Sequence, residues 1–298
     1  MCNTCGCSVT DGNRELAEAP VAKAGLTTVE VLQRLLDAND HEAEHNRSHL
    51  DAHGVLAVNL MSSPGSGKTS LLEKTIELLG SKLRFAVIEG DLETENDAER
   101  IRRKGVPAVQ ITTGSACHLD AHMVHRALHG LDLSAVDVLF IENVGNLVCP
   151  ASFDLGHHLN VTLLATTEGA DKPAKYPVMF RAADVVVMTK MDLLPHLDDF
   201  DPEEAKRHLR ALASPAPVLS CSARGANGID EWVHWLEGAL ASHRAMARTR
   251  RSAAEAGHAH HHHDHHHGHG HHHHEPRPDV QPGLTSAPAP LEEGRNDS

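Results

Sequence analysis

An apolar run at 55–61 (VLAVNLM) leads into Ser62-Ser63-Pro64-Gly65-Ser66-Gly67-Lys68-Thr69, and an amphipathic stretch, SLLEKTIELL, follows at once. Few folds accept this order of strand, glycine-rich loop, lysine and hydroxyl, then helix. The glycines let backbone N–H groups turn inward around an anion, and the N-terminus of the next helix adds a field that favours negative charge. Gly65, Ser66, Gly67, Lys68, Thr69 and Ser70 are therefore the expected phosphate contacts. Lys68 would neutralise the terminal phosphates as part of the catalytic set, and Thr69 would offer its hydroxyl to Mg²⁺. Ser62 stands where such loops commonly begin with glycine, which is tolerated if its φ is negative.

Further apolar runs occur at 84–89, 106–111, 136–142, 161–166, 184–189 and 216–221. Most are unbroken rather than alternating, as expected of strands buried on both faces of a parallel sheet. Helical patterns lie between many of them, at 67–79, 95–104, 118–130, 203–213 and 228–243. The expected fold is α/β: a three-layer P-loop NTPase with a mainly parallel sheet and right-handed crossovers. Aromatic residues make up only 3% of the chain, so Leu, Val, Ile and Ala must build its core. Composition divides the chain into a polar segment and linker at 1–25, a helical extension at 26–53, the main domain at 54–245 and a tail at 246–298. Thr28 can cap the extension, and Val29, Leu32, Leu35 and Leu36 form its apolar stripe. The tail is rich in His, Pro, Ala, Gly and acid and is expected to be disordered.

Three elements downstream of the loop narrow the ligand. The run at 136–142 ends in Glu142-Asn143-Val144-Gly145, an acid followed by glycine at the sheet's C-terminal edge, which nominates Glu142 and Gly145. The run at 184–189 enters Thr189-Lys190-Met191-Asp192. A carboxylate at Asp192 can accept from guanine N1–H and N2–H₂, a donor pair that adenine lacks. Ser222-Ala223-Arg224 follows the last run, where a loop can contact the guanine oxygen. Together these favour GTP, with ATP as the alternative. Asp91, in Glu89-Gly90-Asp91, is either a Mg²⁺ ligand and water-orienting group or a solvated strand-end carboxylate.

The net charge of −14 argues against nucleic acid, whose phosphates require clustered Lys and Arg. No apolar run approaches the length of a membrane span, and Met1 to Thr10 contains no apolar secretion signal. A cytoplasmic protein is expected. In a reducing compartment, clustered cysteines read as metal ligands or redox thiols. Cys2, Cys5 and Cys7 fall within six residues, and with a free Cys2 amine they would suit Ni²⁺ or Zn²⁺. Cys117-His118 and Cys149 also lie near C-terminal strand ends. They can form an open metal site or simply pack. The tail at 258–274 holds thirteen histidines, including His258, His260, His261, His262, His263, His265, His266 and His267, and reads as a reservoir of weak metal sites. Two helical stripes, His41/His45/His49/His53 and His118/His122/His125/His129, are either metal-binding faces or solvated ones.

Several strings together resemble the HypB family, the hydrogenase nickel-incorporation GTPases of the SIMIBI class. They are Cys2-x-x-Cys5-Gly6-Cys7, the loop 63–69, Glu89-Gly90-Asp91, Gly114-x-x-Cys117-His118-Leu119-Asp120-Ala121, Glu142-Asn143-Val144-Gly145-Asn146-Leu147-Val148-Cys149-Pro150 and Asp171-Lys172-Pro173-x-Lys175-Tyr176-Pro177. The resemblance implies a GTPase domain that dimerises and controls metal transfer. It implies a tight nickel site at Cys2, Cys5 and Cys7 and a weaker zinc or nickel site at Cys117, His118 and Cys149. A HypA-type nickel chaperone and the hydrogenase large subunit would be partners. The departures are Thr189, where Asn is commoner, and the C-terminal position of the histidine tract. A urease-type nickel GTPase is disfavoured by the two cysteine motifs. A nickel-storage protein with a vestigial G domain is disfavoured by intact Lys68, Thr69 and Asp192.

Overall fold

The computed structural model describes residues 28–259, except 93–94, 115, 213 and 226–227. Seven strands form one sheet: β1 (Leu56–Met61), β2 (Phe85–Asp91), β3 (Ala108–Thr112), β4 (Val138–Glu142), β5 (Leu159–Ala165), β6 (Val185–Thr189) and β7 (Val218–Ser220). Their order is β3-β2-β4-β1-β5-β6-β7, and every pairing is parallel. Each of the seven expected runs is thus a strand. All residues of β1, β4 and β6 are buried, because helices cover both faces and leave no side of the strand for polar residues.

One face packs Leu56, Val58, Leu60, Val87 and Phe140 under α2 (Lys68–Leu79), α3 (Asn96–Arg102) and α8 (Ile229–Ala259). On the other face, Ala57, Ile88, Leu139 and Ile141 pack under α1 (Thr28–His53) and α4 (Ala121–Leu128). The β5–β6 end is covered by α6 (Pro177–Arg181) and α7 (Pro202–Ala211), through Met179, Phe180, Ala205 and Leu209. The fully buried Trp232 ties α8 to α2 by donating its indole N–H to Thr75 Oγ1 at 2.8 Å.

Three larger differences from the sequence reading have physical causes. The helix α4 begins at Ala121, not 118, because the Asp120 carboxylate accepts from Met123 N at 2.7 Å and caps it there. The short helices α5 (Lys172–Lys175) and α6 were not expected; Pro173 and Pro177 each sit in a first turn, where no N–H is needed. The final helix continues to Ala259, so residues 246–259 are helical rather than part of a disordered tail. Ala and Arg dominate that stretch, and both favour helix without needing a buried face. The described residues from Thr28 to Ala253 belong to one compact unit. Of the second, Ala254–Ser298, only this helical end is described. No helix among the described residues is long and apolar enough to cross a membrane.

Of the expected stripe on α1, Leu35 is buried and Leu36 packs partly. The docked face continues through Ala43, Asn46 and Leu50. Asn46 Nδ2 donates to the carbonyls of Ala121 and Leu155, and Arg47 forms a forked pair with Asp154 at 2.8 and 2.6 Å. Gly156 allows this approach. Its φ is +84°, and a Cβ there would lie 2.5 Å from both Ala43 O and Asn46 Cβ. Gly156→Ala combines backbone strain with a clash against helix backbone, so a loss of about 2–4 kcal/mol is expected in urea unfolding. Unchanged stability would show that α1 docks in some other way.

Candidate functional site

The loop between β1 and α2 has the geometry its glycines require. Gly65 and Gly67 have φ of +74° and +96°, yet a Cβ on either would meet nothing within 4 Å. Their necessity is conformational rather than steric. Ser62 keeps a negative φ, since Lys190 is the only non-glycine residue with positive φ among those described. Gly67 caps α2 without any side-chain partner for the first-turn N–H groups, which leaves those donors for an anion. The Lys68 ammonium is almost fully buried, 3.3 Å from Ser62 Oγ and 3.8 Å from Glu142 Oε1. Thr69 Oγ1 donates to the same Glu142 oxygen at 2.9 Å. Gly145 brings the segment after β4 against this loop: a Cβ there would lie 2.8 Å from Pro64 Cα.

Glu142 is accompanied by two further carboxyls, Glu89 from β2 and Asp97 from α3, with oxygens of all three within 4.8 Å of one another. Burial and the neighbouring Glu142 push Glu89 well above the usual carboxylate range, and burial also raises Glu142. Oε2 of each glutamate is buried without a hydrogen-bond partner. Orphaned carboxylate oxygens beside a threonine hydroxyl and a phosphate loop make an all-oxygen donor set that fits a hard cation such as Mg²⁺. Asp91, which the sequence reading nominated, is half-buried at the end of the same strand. Glu89 was overlooked, although the two-residue period puts both on one face of β2.

A cavity of about 290 Å³ opens beside the loop, near the lower limit for small-molecule sites, and Ser70, Thr189, Asp192, Ala223 and Arg224 help line it. The Ser222 hydroxyl donates to Asp192 Oδ1 and accepts from Gly225 N at 2.9 Å, which fixes the carboxylate at the pocket. Thr189 Oγ1 donates to Ser66 O at 2.7 Å. The residue that departs from the usual Asn therefore ties the base loop to the phosphate loop. Lys190 has a φ of +59°, and its ammonium donates to Thr167 Oγ1 at 3.3 Å. Ser66 Oγ lies 2.5 Å from Glu168 Oε1, joining the segment after β5 to the phosphate loop.

The second pocket draws on segments far apart in sequence. Cys149 opens a short 3₁₀ turn (Cys149–Ser152), where its N–H and that of Val148 donate to Asn146 Oδ1. Cys117 and His118 come from the loop before α4. The two sulfurs are 3.0 Å apart, and Cys117 Sγ lies 3.9 Å from His118 Nδ1. These three side chains form a group with ligand atoms within 4.8 Å. His118 is buried and stacked on Phe153 at 4.0 Å, and desolvation lowers its pKa to about 4, so the ring is neutral. Its Nε2 has no hydrogen-bond partner. Two thiols and a neutral imidazole suit a borderline or soft ion.

The two pockets meet at one strand end. Glu142 touches Thr69, and the next residue, Asn143, accepts Leu119 N at 3.2 Å through Oδ1. Asn143 also donates to Asn59 on β1, and Asn59 donates to Asn160 on β5. Gly90 allows Leu119 to lie against β2, where a Cβ would fall 2.8 Å from the leucine side chain.

Residues 56–220 match the model of the CobW/HypB/UreG nucleotide-binding domain. The hydrogenase maturation factor HypB of Azotobacter vinelandii is 56% identical over 205 residues, which span 69% of this chain and 67% of the relative. This chain belongs to the HypB family. Two solved HypB structures overlay on it at 40% identity. The Helicobacter pylori protein, in complex with nickel, gives a TM-score of 0.66 over 68% of this chain and 95% of its own. The Archaeoglobus fulgidus protein gives 0.65 over 69% and 100%.

Within this HypB-family chain, the remaining sequence readings divide. Cys2, Cys5, Cys7 and the histidines from His260 onward lie outside the described residues, and His258 falls in the last turn of α8. Cys221 lines the base cavity as a packing thiol, pushed up to about 12 by burial. One cluster was not anticipated: Asp51, His158 and His243 gather from α1, from the residue just before β5, and from α8. His158 Nδ1 accepts Ala57 N–H at 2.9 Å, so its proton sits on Nε2 and is donated to Asp51 at 3.2 Å. That tautomer has no lone pair facing Asp51, so the cluster is a hydrogen-bonded tie rather than a metal site.

Proposed function

We propose that this chain is a cytoplasmic, GTP-hydrolysing nickel metallochaperone that gates nickel insertion into the large subunit of a [NiFe] hydrogenase. The observation that carries this reading is the end of β4, where Glu142 contacts the phosphate loop and Asn143 holds the loop bearing Cys117 and His118. The backbone amides of 65–69 and the Lys68 ammonium receive the phosphates of GTP, and Asp192, held by Ser222, selects guanine. Thr69, Glu142 and Glu89 would hold Mg²⁺, which supplies charge neutralisation at the terminal phosphates. When the phosphate leaves, Glu142 and Gly145 lose the partner that ordered them. Asn143 passes that change to Leu119 and the 117–119 loop, and the distance between Cys117 and Cys149 changes with it. Nickel is the cargo in this scheme, and zinc is the other ion the thiolate pocket suits.

Cys2, Cys5 and Cys7 form the tight nickel site in this reading. The tail histidines buffer nickel, although imidazoles alone also take Cu²⁺ and Zn²⁺. A homodimer, a HypA-type chaperone and the hydrogenase large subunit are the partners. Complementation tests the whole scheme. A strain lacking its own maturation GTPase should regain hydrogenase activity when given this chain at trace nickel, and should not with Lys68→Ala. Equal activity from both would remove nucleotide gating from the function.

A further inference from the structure

The helices α1 and α4 pack together, and four imidazoles gather where they end. His49 and His53 stand one turn apart on α1, and His125 and His129 one turn apart at the end of α4. His49 is held below its ordinary pKa by burial and by the nearness of His53, His129 and His125. None of these side chains belongs to the nucleotide or thiolate pockets.

The orientation of His125 is set from behind. Asn46 is fully buried, and its amide N–H₂ is committed to the carbonyls of Ala121 at 2.8 Å and Leu155 at 3.2 Å. Its oxygen must therefore face His125 Nδ1, 3.0 Å away, and Glu42 Oε1 lies 3.2 Å from the same nitrogen. Both neighbours are acceptors, so Nδ1 carries the proton and Nε2 keeps its lone pair. That lone pair faces His129 Nε2 at 3.1 Å. Two imidazole nitrogens bound cis to one ion, each at ~2.1 Å, are separated by ~3.0 Å. The pair already has the bite of a metal chelate. An amide and a carboxylate behind the ligand ring are the outer partners that metal-binding histidines use. His53 is prepared in the same way, since its Nδ1 lies 2.9 Å from the His49 carbonyl and Nε2 is left free.

We propose that His125 and His129 bind a divalent first-row transition ion, Ni²⁺, Cu²⁺ or Zn²⁺, through their paired Nε2 atoms, with Glu42 and Asn46 orienting His125. Before the ion arrives, His129 Nε2 donates to His125 Nε2. Binding requires only that His129 carry its proton on Nδ1, and the ring is exposed, so the exchange is unhindered. An all-imidazole surface site holds such ions more loosely than thiolates do. It lies seven residues past His118, at the far end of the helix that follows the thiolate pocket.

The test uses the full-length chain and NiCl₂. Histidine carbethoxylation by diethylpyrocarbonate is read residue by residue by mass spectrometry, so the tail does not obscure the result. At nickel about ten times the midpoint, modification of His125 and His129 is expected to slow by about tenfold, with one shared midpoint. In His129→Gln, an exposed substitution, His125 should return to its metal-free rate. In Glu42→Ala the shared midpoint should move to higher nickel. Unchanged rates at both residues while the tail is protected would overturn the proposal. So would protection of His125 that survives His129→Gln.

Discussion

Lys68→Ala should lower GTP turnover by at least ~10²-fold while the protein stays folded, as judged by phosphate release and thermal melting measured side by side. The large effect follows from where the charge sits. The Lys68 ammonium is nearly excluded from water, so its field on a bound phosphate is only weakly screened. It is also held in place before any ligand arrives, by Ser62 Oγ at 3.3 Å and Glu142 at 3.8 Å. Negative charge that develops on the transferring phosphoryl group meets a donor that need not reorganise. The small effect on folding follows from the same pocket. Without the lysine, Glu142 loses the cation that lowers its pKa, but a buried carboxyl that already leans toward its protonated form responds by taking up a proton. Turnover within threefold of the parent protein would mean that the phosphate loop binds nucleotide without supplying the catalytic charge.

The part of the fold governed by local chemistry is legible in the sequence alone. Seven apolar runs, most of them unbroken, became seven parallel strands because burial on both faces leaves a mark in sequence that needs no partner to interpret. The phosphate loop was legible for a similar reason, since its glycines, lysine and threonine are consecutive. Residues whose roles depend on a distant neighbour were less so. Thr189 looked like a weakened base motif until its hydroxyl was found on Ser66 O, 123 residues away. Glu89 and Asp91 share a strand face, and only packing decides which of them enters the Glu142 cluster. Cys117 and Cys149 are 32 residues apart, so their 3.0 Å contact was a suggestion from strand ends and nothing more. Asn143 carried no signal of its own as a link, because an amide at a strand end is unremarkable until both its neighbours are known.

That link leads to the second large effect. In a chain carrying Cys2→Ala, Cys5→Ala and Cys7→Ala, the thiolate-to-nickel absorption band reports the Cys117, His118 and Cys149 pocket, since tail imidazoles contribute no thiolate. Cys149→Ser should reduce nickel affinity there by at least ~10²-fold, because a soft thiolate is replaced by a hydroxyl that binds this ion poorly. With the cysteines intact, affinity should differ between the GDP form and a non-hydrolysable GTP-analogue form by about 5–150-fold, the range of typical coupling energies. Nickel must then change analogue affinity by the same factor, because the four states close a thermodynamic cycle. Asn143→Ala should bring the two nickel affinities together while leaving both pockets occupied by their own ligands. It removes the acceptor for Leu119 N but touches neither Glu142 nor a sulfur. If the nucleotide-dependent difference survives in Asn143→Ala, the signal travels by the other contact between the two halves, Gly145 against Pro64. If the parent chain binds nickel equally in both nucleotide forms, the shared strand end places the two pockets side by side without coupling them.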